Sequence, residues 1–183
     1  DSDGDKVAIG GPRNGGTASD AGHVRVYSWN GSSWSQLGSD IDGEASGDQL
    51  GSSVSLDSDG DRVAIGARFN DGTASNAGHV RIYEYSSGSW SQLGSDIDGE
   101  ASNDYSGISV SIDSDGDRVA IGASGNDGTA SNAGHVRVYS WNGSSWTKLG
   151  SDIDGEAGGD QFGHSMSLDY DGDKLAVGAK TNG

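Results

Sequence analysis

The chain has 183 residues, a formal net charge of −17 at pH 7 and no cysteine. That charge opposes binding to nucleic acid or an anionic membrane surface, and without cysteine there is no disulfide framework, thiolate metal site or cysteine nucleophile. No apolar run approaches the roughly 20 residues of a membrane helix, and no secretory signal is visible. The 33 glycines and the acidity resemble a disordered tract, but Val, Ile, Leu, Trp and Tyr recur at fixed positions, which a folded chain requires and a disordered one does not.

The recurrence is regular. Asp-Ser-Asp-Gly-Asp begins at Asp1, Asp57 and Asp113, and Asp-Tyr-Asp-Gly-Asp begins at Asp169, a constant step of 56 residues. The chain therefore divides into units 1–56, 57–112 and 113–168 and the start of a fourth, 169–183. A fixed period of this size marks a solenoid, a propeller or an array.

Within one unit the elements follow in order. Residues 53–56, Ser-Val-Ser-Leu, alternate polar and apolar, the period of a strand. Asp57-Ser58-Asp59-Gly60 then turns the chain into a second strand, 62–67, with the glycine in the left-handed position of a hairpin. In that second strand Val63 and Ile65 alternate with Ala64 and Gly66, so one face is bulky and the other nearly bare, as sheets that stack closely require. A loop over 70–78 leads to a third strand, 79–85, and a short turn to a fourth, 89–93. The acidic stretch after Asp96 connects to the next unit. No helical period persists beyond a turn.

Four strands per unit predict an all-β chain, a β-propeller of four-stranded antiparallel blades, of which these residues cover about three and a quarter. Alternating connections put the tight turns on one face and the long loops, 70–78 and 96–104, on the other. Long loops on a rigid scaffold favour binding, so the second face is the candidate surface.

The segment Phe162-Gly163-His164-Ser165-Met166-Ser167-Leu168-Asp169, followed by Asp171-Gly172-Asp173 and Val177-Gly178-Ala179, resembles an FG-GAP repeat, the blade unit of the integrin alpha-subunit propeller. Gly155-Glu156 resembles the dipeptide that leads into the Phe-Gly of that family. The other units carry Leu50 and Ser106 in place of Phe, and the final Pro of the family name is replaced by Arg68, Ser124 and Lys180. The resemblance implies an extracellular or cell-surface propeller for adhesion, protein binding or structural assembly, with calcium in some hairpin loops. It also implies a ring completed by more of the same polypeptide or by a second chain.

Two sets of carboxylates follow. Asp57, Asp59 and Asp61, repeated as Asp113, Asp115 and Asp117, match the first three ligands of the family's calcium loop, but the last ligand position falls on Ile65, inside a strand. A hairpin turn explains Asp57 and Gly60 without an ion, so a turn is the first expectation and calcium the alternative. On the long-loop face, Asp40, Asp42, Glu44 and Asp48 recur as Asp96, Asp98, Glu100, Asp104 and as Asp152, Asp154, Glu156, Asp160. The Gly is not where a helix–loop–helix calcium site needs it, which leaves a solvated acidic loop beside a ligand or cation site as the two readings.

His23, His79 and His135 share one repeat position, and a copy in every unit favours a structural role over catalysis. Arg25, Arg81 and Arg137 follow and are expected to pair with the acids. Trp29, Trp34, Trp90, Trp141 and Trp146 bracket the turn between the third and fourth strands, where they would pack at the outer edge or stack on sugars. Asn30 and Asn142 open Asn-Gly-Ser sequons that also read as hairpin turns. The residues that break the repeat, Pro12, Phe69, Tyr105, Ile108, His164, Met166 and Tyr170, form no recognisable triad in sequence. The expectation is a non-catalytic module with protein partners or self-assembly, with a glycan-binding propeller and a pure spacer as alternatives.

Overall fold

The computed structural model describes residues 1–181, and among them every regular element is a β-strand. Blade one holds β1 (Lys6–Gly10), β2 (His23–Trp29), β3 (Trp34–Gln36) and β4 (Ile41–Asp42). Blade two holds β5 (Ser53–Leu56), β6 (Arg62–Ala67), β7 (His79–Ser86), β8 (Ser89–Gln92) and β9 (Ile97–Asp98). Blade three repeats it with β10 (Ser109–Ile112), β11 (Arg118–Ala123), β12 (His135–Trp141), β13 (Trp146–Lys148) and β14 (Ile153–Asp154). A hairpin of β15 (Phe162–Leu168) and β16 (Leu175–Ala179) begins the fourth.

All pairings between these strands are antiparallel, and the order in a complete blade is β5-β6-β7-β8. The architecture is the all-β, propeller-like stack that the alternation predicts. One detail differs. The acidic stretch contributes a two-residue strand, with Val80 opposite Ile97 and His79 opposite Asp98, so each complete blade has five strands instead of four. The cause is Ile97, only 7 % exposed, which must be buried and carries its neighbours onto the open part of the β7 edge.

The hairpin after β5 forms as its sequence requires. Gly60 has φ +65°, and the Asp57 carboxylate accepts hydrogen bonds from the Asp61 and Arg62 amides, each at 3.1 Å. Gly116 and Asp113 repeat the arrangement.

The core lies between blades. Val24 and Ile41 of blade one cover Val63 and Ile65 of blade two; Val80, Ile82 and Ile97 of blade two cover Val110, Ile112, Val119 and Ile121 of blade three. Each fully covered Val or Ile stabilises by about 1.5–3 kcal/mol, and the neighbouring blade supplies that cover. Close approach depends on bare positions. A Cβ on Gly66 would overlap the carbonyl of Gly107, and the Ser53 hydroxyl donates to that same carbonyl at 2.7 Å. The inner strands β5, β10 and β15 are tied directly: the Ile112 amide donates to Ser55 Oγ at 3.2 Å and the Leu168 amide to Ser111 Oγ at 2.9 Å.

At the outer edge the indole Nε1 of Trp90 donates to the Leu37 carbonyl of the previous blade at 2.8 Å, and Trp146 does the same to Leu93 at 2.9 Å. Trp90 also packs on Tyr85 and Trp146 on Trp141, with ring centroids 5.2 and 5.4 Å apart.

Candidate functional site

The acidic loops resolve into three kinds of carboxylate. Asp40, Asp96 and Asp152 grip the arginine of their own unit. Arg81 donates to Asp96 through Nε at 2.8 Å and Nη2 at 2.7 Å, and its Nη2 also meets Glu44 of the previous unit at 2.6 Å. Arg137 joins Asp152 and Glu100 in the same way, while Arg25 holds Asp40 at 2.8 Å. Such bidentate pairs are strong and fix geometry. The Arg25 and Gln36 hydrogen bonds hold the Asp40 carboxyl down at about 2, and the Arg81 hydrogen bonds depress Asp96.

Asp48, Asp104 and Asp160 are buried and used by backbone. The Ala101 amide donates to Asp104 Oδ2 at 3.0 Å and Asn126 Nδ2 donates to the same oxygen at 3.1 Å. Asp48 and Asp160 accept from Ala45 and Ala157 in the same manner. Asp42, Asp98, Asp154 and Glu156 stand exposed to solvent.

Among the described residues, three groups bring a histidine and two carboxylates close enough to hold a metal: His23, Asp40 and Asp42; Glu44, His79 and Asp96; Glu100, His135 and Asp152, with ligand atoms within 4.8 Å of one another. In the last two the arginine guanidinium already lies among these oxygens, at Arg81 and Arg137. His79 is 2 % exposed and burial lowers its pKa, so it packs as a neutral ring. In the hairpin trios, Asp57 and Asp113 are buried against turn amides while Asp59, Asp61, Asp115 and Asp117 are exposed. Asn30 and Asn142 are exposed, and each side-chain oxygen accepts two amides of its own turn at 3.0 Å.

A different set of residues converges on a cavity. On the long-loop face, beside the inner strands, a space of about 250 Å³ is lined by Arg68, Phe69, Tyr105, Ile108, Ser124, Gly125, Asn132, Gln161, His164 and Lys180. They occupy a few repeat positions with unlike contents: Arg68, Ser124 and Lys180 share one, Tyr105 and Gln161 another, Ile108 and His164 a third. Phe69 and Tyr105 meet edge to face at 5.7 Å, and the Arg68 guanidinium lies over Phe69 at 4.6 Å. Arg68 donates weakly to Gln49 at 3.4 Å, and its buried Nε has no hydrogen-bond partner among the described residues. A buried guanidinium N–H left unpaired costs about 1–3 kcal/mol. Tyr105, Asn132 and Gln161 have positive φ, at 56, 52 and 55°, but so do Gln49, Asp20 and Asn76 at the same repeat positions, so this conformation belongs to the loops of every unit.

Phe69, Tyr105, Ile108 and His164 break the repeat at scattered places in the sequence, and the fold brings them together. Arg68, Lys180, Gln161 and Asn132 were not singled out as ligand-binding residues. The signal available for them was the chemical divergence of positions that every unit keeps.

No family model and no curated protein matches the chain. Among solved structures, it is similar to a protein of Bacteroides fragilis at a TM-score of 0.57, with 13% identity over 85% of this chain and 38% of that one. A second, from Bacteroides uniformis, aligns at 0.57 with 10% identity over 86% of this chain and 41% of that one. Both carry the name "putative 6-phosphogluconolactonase". At this identity the likeness shows the fold, and the chain spans about two fifths of the length of those proteins.

These findings correct the functional expectation. The FG-GAP, integrin-like resemblance does not hold: no family model supports it, and the propeller neighbours carry a lactonase name. The expectation of a non-catalytic adhesion module, with its glycan-binding and spacer alternatives, is corrected with it, since those neighbours carry an enzyme's name. The physical error is identifiable. Repetition argues for scaffold only at positions whose contents repeat, whereas unlike side chains collect where the inner strands β10 and β15 of successive units meet.

Proposed function

We propose that the cavity on the long-loop face is the substrate pocket of a hydrolase acting on a small anionic sugar lactone. One observation carries this: unlike side chains from three successive units, including Arg68, Tyr105, His164 and Lys180, line one space in a chain of net charge −17. The name shared by the structural neighbours supports the substrate class.

The roles follow from side-chain chemistry. Arg68 and Lys180 provide cationic donors for a phosphate or carboxylate, and the face of Phe69 or Tyr105 supports the sugar ring. His164 takes a proton from water as the water oxygen adds to the lactone carbonyl carbon. The ring C–O bond then breaks, its oxygen takes up the proton, and a free carboxylic acid remains.

Calcium is the cation that the carboxylate loops would take. At Glu44, His79 and Asp96 it would compete with Arg81 for the same oxygens, so we expect chelator to leave both melting temperature and turnover unchanged. A fall in melting temperature would return a bound cation to these loops.

The test is hydrolysis of 6-phosphogluconolactone by the full chain, followed as acid release above the buffer rate. Arg68→Ala should raise KM more than it lowers kcat. A chain no faster than buffer contradicts the assignment.

A further inference from the structure

The cavity owes its space to side chains that blade three omits. Ser124 and Gly125, both buried, line it where the chain leaves β11. The same two repeat positions carry Pro12 and Arg13 after β1, Arg68 and Phe69 after β6, and Lys180 and Thr181 after β16. Among the described residues, blade three alone is bare at both.

Gly125 also fixes the neighbouring wall. A Cβ at this position would overlap the Asn103 carbonyl oxygen and lie 2.8 Å from the Tyr105 ring. The ring therefore stands where the missing side chain would project, and its edge-to-face contact with Phe69 at 5.7 Å pins it from blade two. The junction between blades one and two makes the reverse choice. Phe69 fills the position of Gly125, Gln49 stands in place of Tyr105, and Gly47 in place of Asn103. A close-packed interior holds one bulky group at such a place, so the ring at 105 and the bare backbone at 125 belong together.

The approach to β15 supplies a polar side. Phe162 lies opposite Ala179 and Ser165 opposite Gly178, so Gly163 and His164 bulge from the pairing, a device that re-aims a side chain. The His164 amide donates to the Gln161 carbonyl at 3.2 Å and holds the bulge. Tyr105 and Ile108 thus offer apolar surface, Gln161 and His164 hydrogen-bonding groups, and Ser124 and Gly125 a floor without bulk. A sugar ring has the same division between C–H faces and a hydroxyl edge. The space of about 250 Å³ falls below the ~300–1,000 Å³ of sites for drug-sized ligands, which suits a single ring.

We propose that Ser124 and Gly125 determine specificity in this pocket, as the floor of a subsite that takes one sugar ring between Tyr105 and His164. The proposal rests on the reading of the cavity as a substrate pocket. It adds that a side chain on the floor, or a Tyr105 ring displaced from Gly125, takes the place of the sugar.

Titration calorimetry of the full chain with glucose 6-phosphate tests this, because that ligand has the ring and the anion but no lactone bond. Hydrolysis of 6-phosphogluconolactone is followed on the same samples. The parent should bind, and Ser124→Ala, which keeps the floor small, should bind equally. Ser124→Leu fills the floor without changing charge and should weaken binding by more than ~10-fold. Asn103→Gly, Tyr105→Gln and Gly125→Phe together copy Gly47, Gln49 and Phe69, an arrangement the chain already folds, so this triple variant should keep the parent's melting temperature and lose binding to a similar extent. A parent that does not bind glucose 6-phosphate, or binding indifferent to both Ser124→Leu and the triple variant, overturns the proposal. Hydrolysis that persists at the parent's rate in both variants overturns the floor and leaves the hydrolase reading standing. Binding that these variants abolish, in a parent that does not hydrolyse the lactone, supports the floor and contradicts the hydrolase reading.

Discussion

The acidic loops and the cavity lie on the same face, yet the units treat them oppositely. In the loops, Arg81 and Arg137 hold the same aspartate and glutamate partners in successive units, so charge is neutralised and the blades are fixed. In the cavity, one repeat position gives Arg68, Ser124 and Lys180, and another gives Ile108 and His164. Sameness builds the scaffold; divergence at the inner-strand entrances builds a site with distinct groups. Under the proposed function, the acidic cluster that repeats belongs to the scaffold and the positions that diverge belong to the pocket.

The largest expected separation between the two regions comes from a scaffold position. Gly66→Ala forces a methyl onto the Gly107 carbonyl and should cost about 1–3 kcal/mol or more, seen as a lower denaturant midpoint. Cavity substitutions such as Tyr105→Phe should leave that midpoint within about 0.5 kcal/mol. Equal losses would erase the distinction.

Next is the ion-pair network. Arg81→Ala leaves Asp96 facing Glu44 without a cation, at a cost of about 1–3 kcal/mol once the exposure of Glu44 is allowed for. It also frees the Glu44, His79 and Asp96 ligand atoms, so the variant should gain a melting shift with added zinc that the parent lacks. A parent chain that responds equally would mean the guanidinium does not occupy a cation's place.

The smallest effect is a pH dependence that opposes the loops. Burial pushes Asp57 up to about 6 in the folded chain, and Asp113 is raised for the same reason. Between about pH 4 and 6 the folded state thus binds more protons than the unfolded chain, and stability falls as pH rises through that window. Asp40 and Asp96 have lowered values, so their contribution is present above pH 4 and is lost on acidification below it. Asp57→Asn keeps the oxygen that accepts the turn amides and should flatten the upper slope alone, measured as melting temperature against pH. An unchanged slope would assign it elsewhere.

Much of the fold was legible because it is local. Val54 and Leu56 alternate with serines, Gly60 marks the hairpin, and the bare Ala64 and Gly66 face anticipates the close stacking that Gly107 completes. The short strand β9 was not legible: two residues give no period, and only the burial of Ile97 reveals it. The cavity was harder still. Its residues are scattered over the 113 positions from Arg68 to Lys180 and meet only when the starts of β10 and β15 lie beside the ends of β6, β11 and β16. In sequence Arg68 and Lys180 stand only where the resembled repeat has its proline, and nothing local marks them as lining a cavity.

The central claim is that divergence within the repeat marks the working site, and His164→Ala tests it most directly. The initial rate of 6-phosphogluconolactone hydrolysis is compared between parent and variant, with melting temperature as the control for folding. The account predicts hydrolysis above the buffer rate for the parent and a loss of about 100-fold or more in kcat for the variant, at an unchanged melting temperature. Equal rates for parent and variant would contradict it.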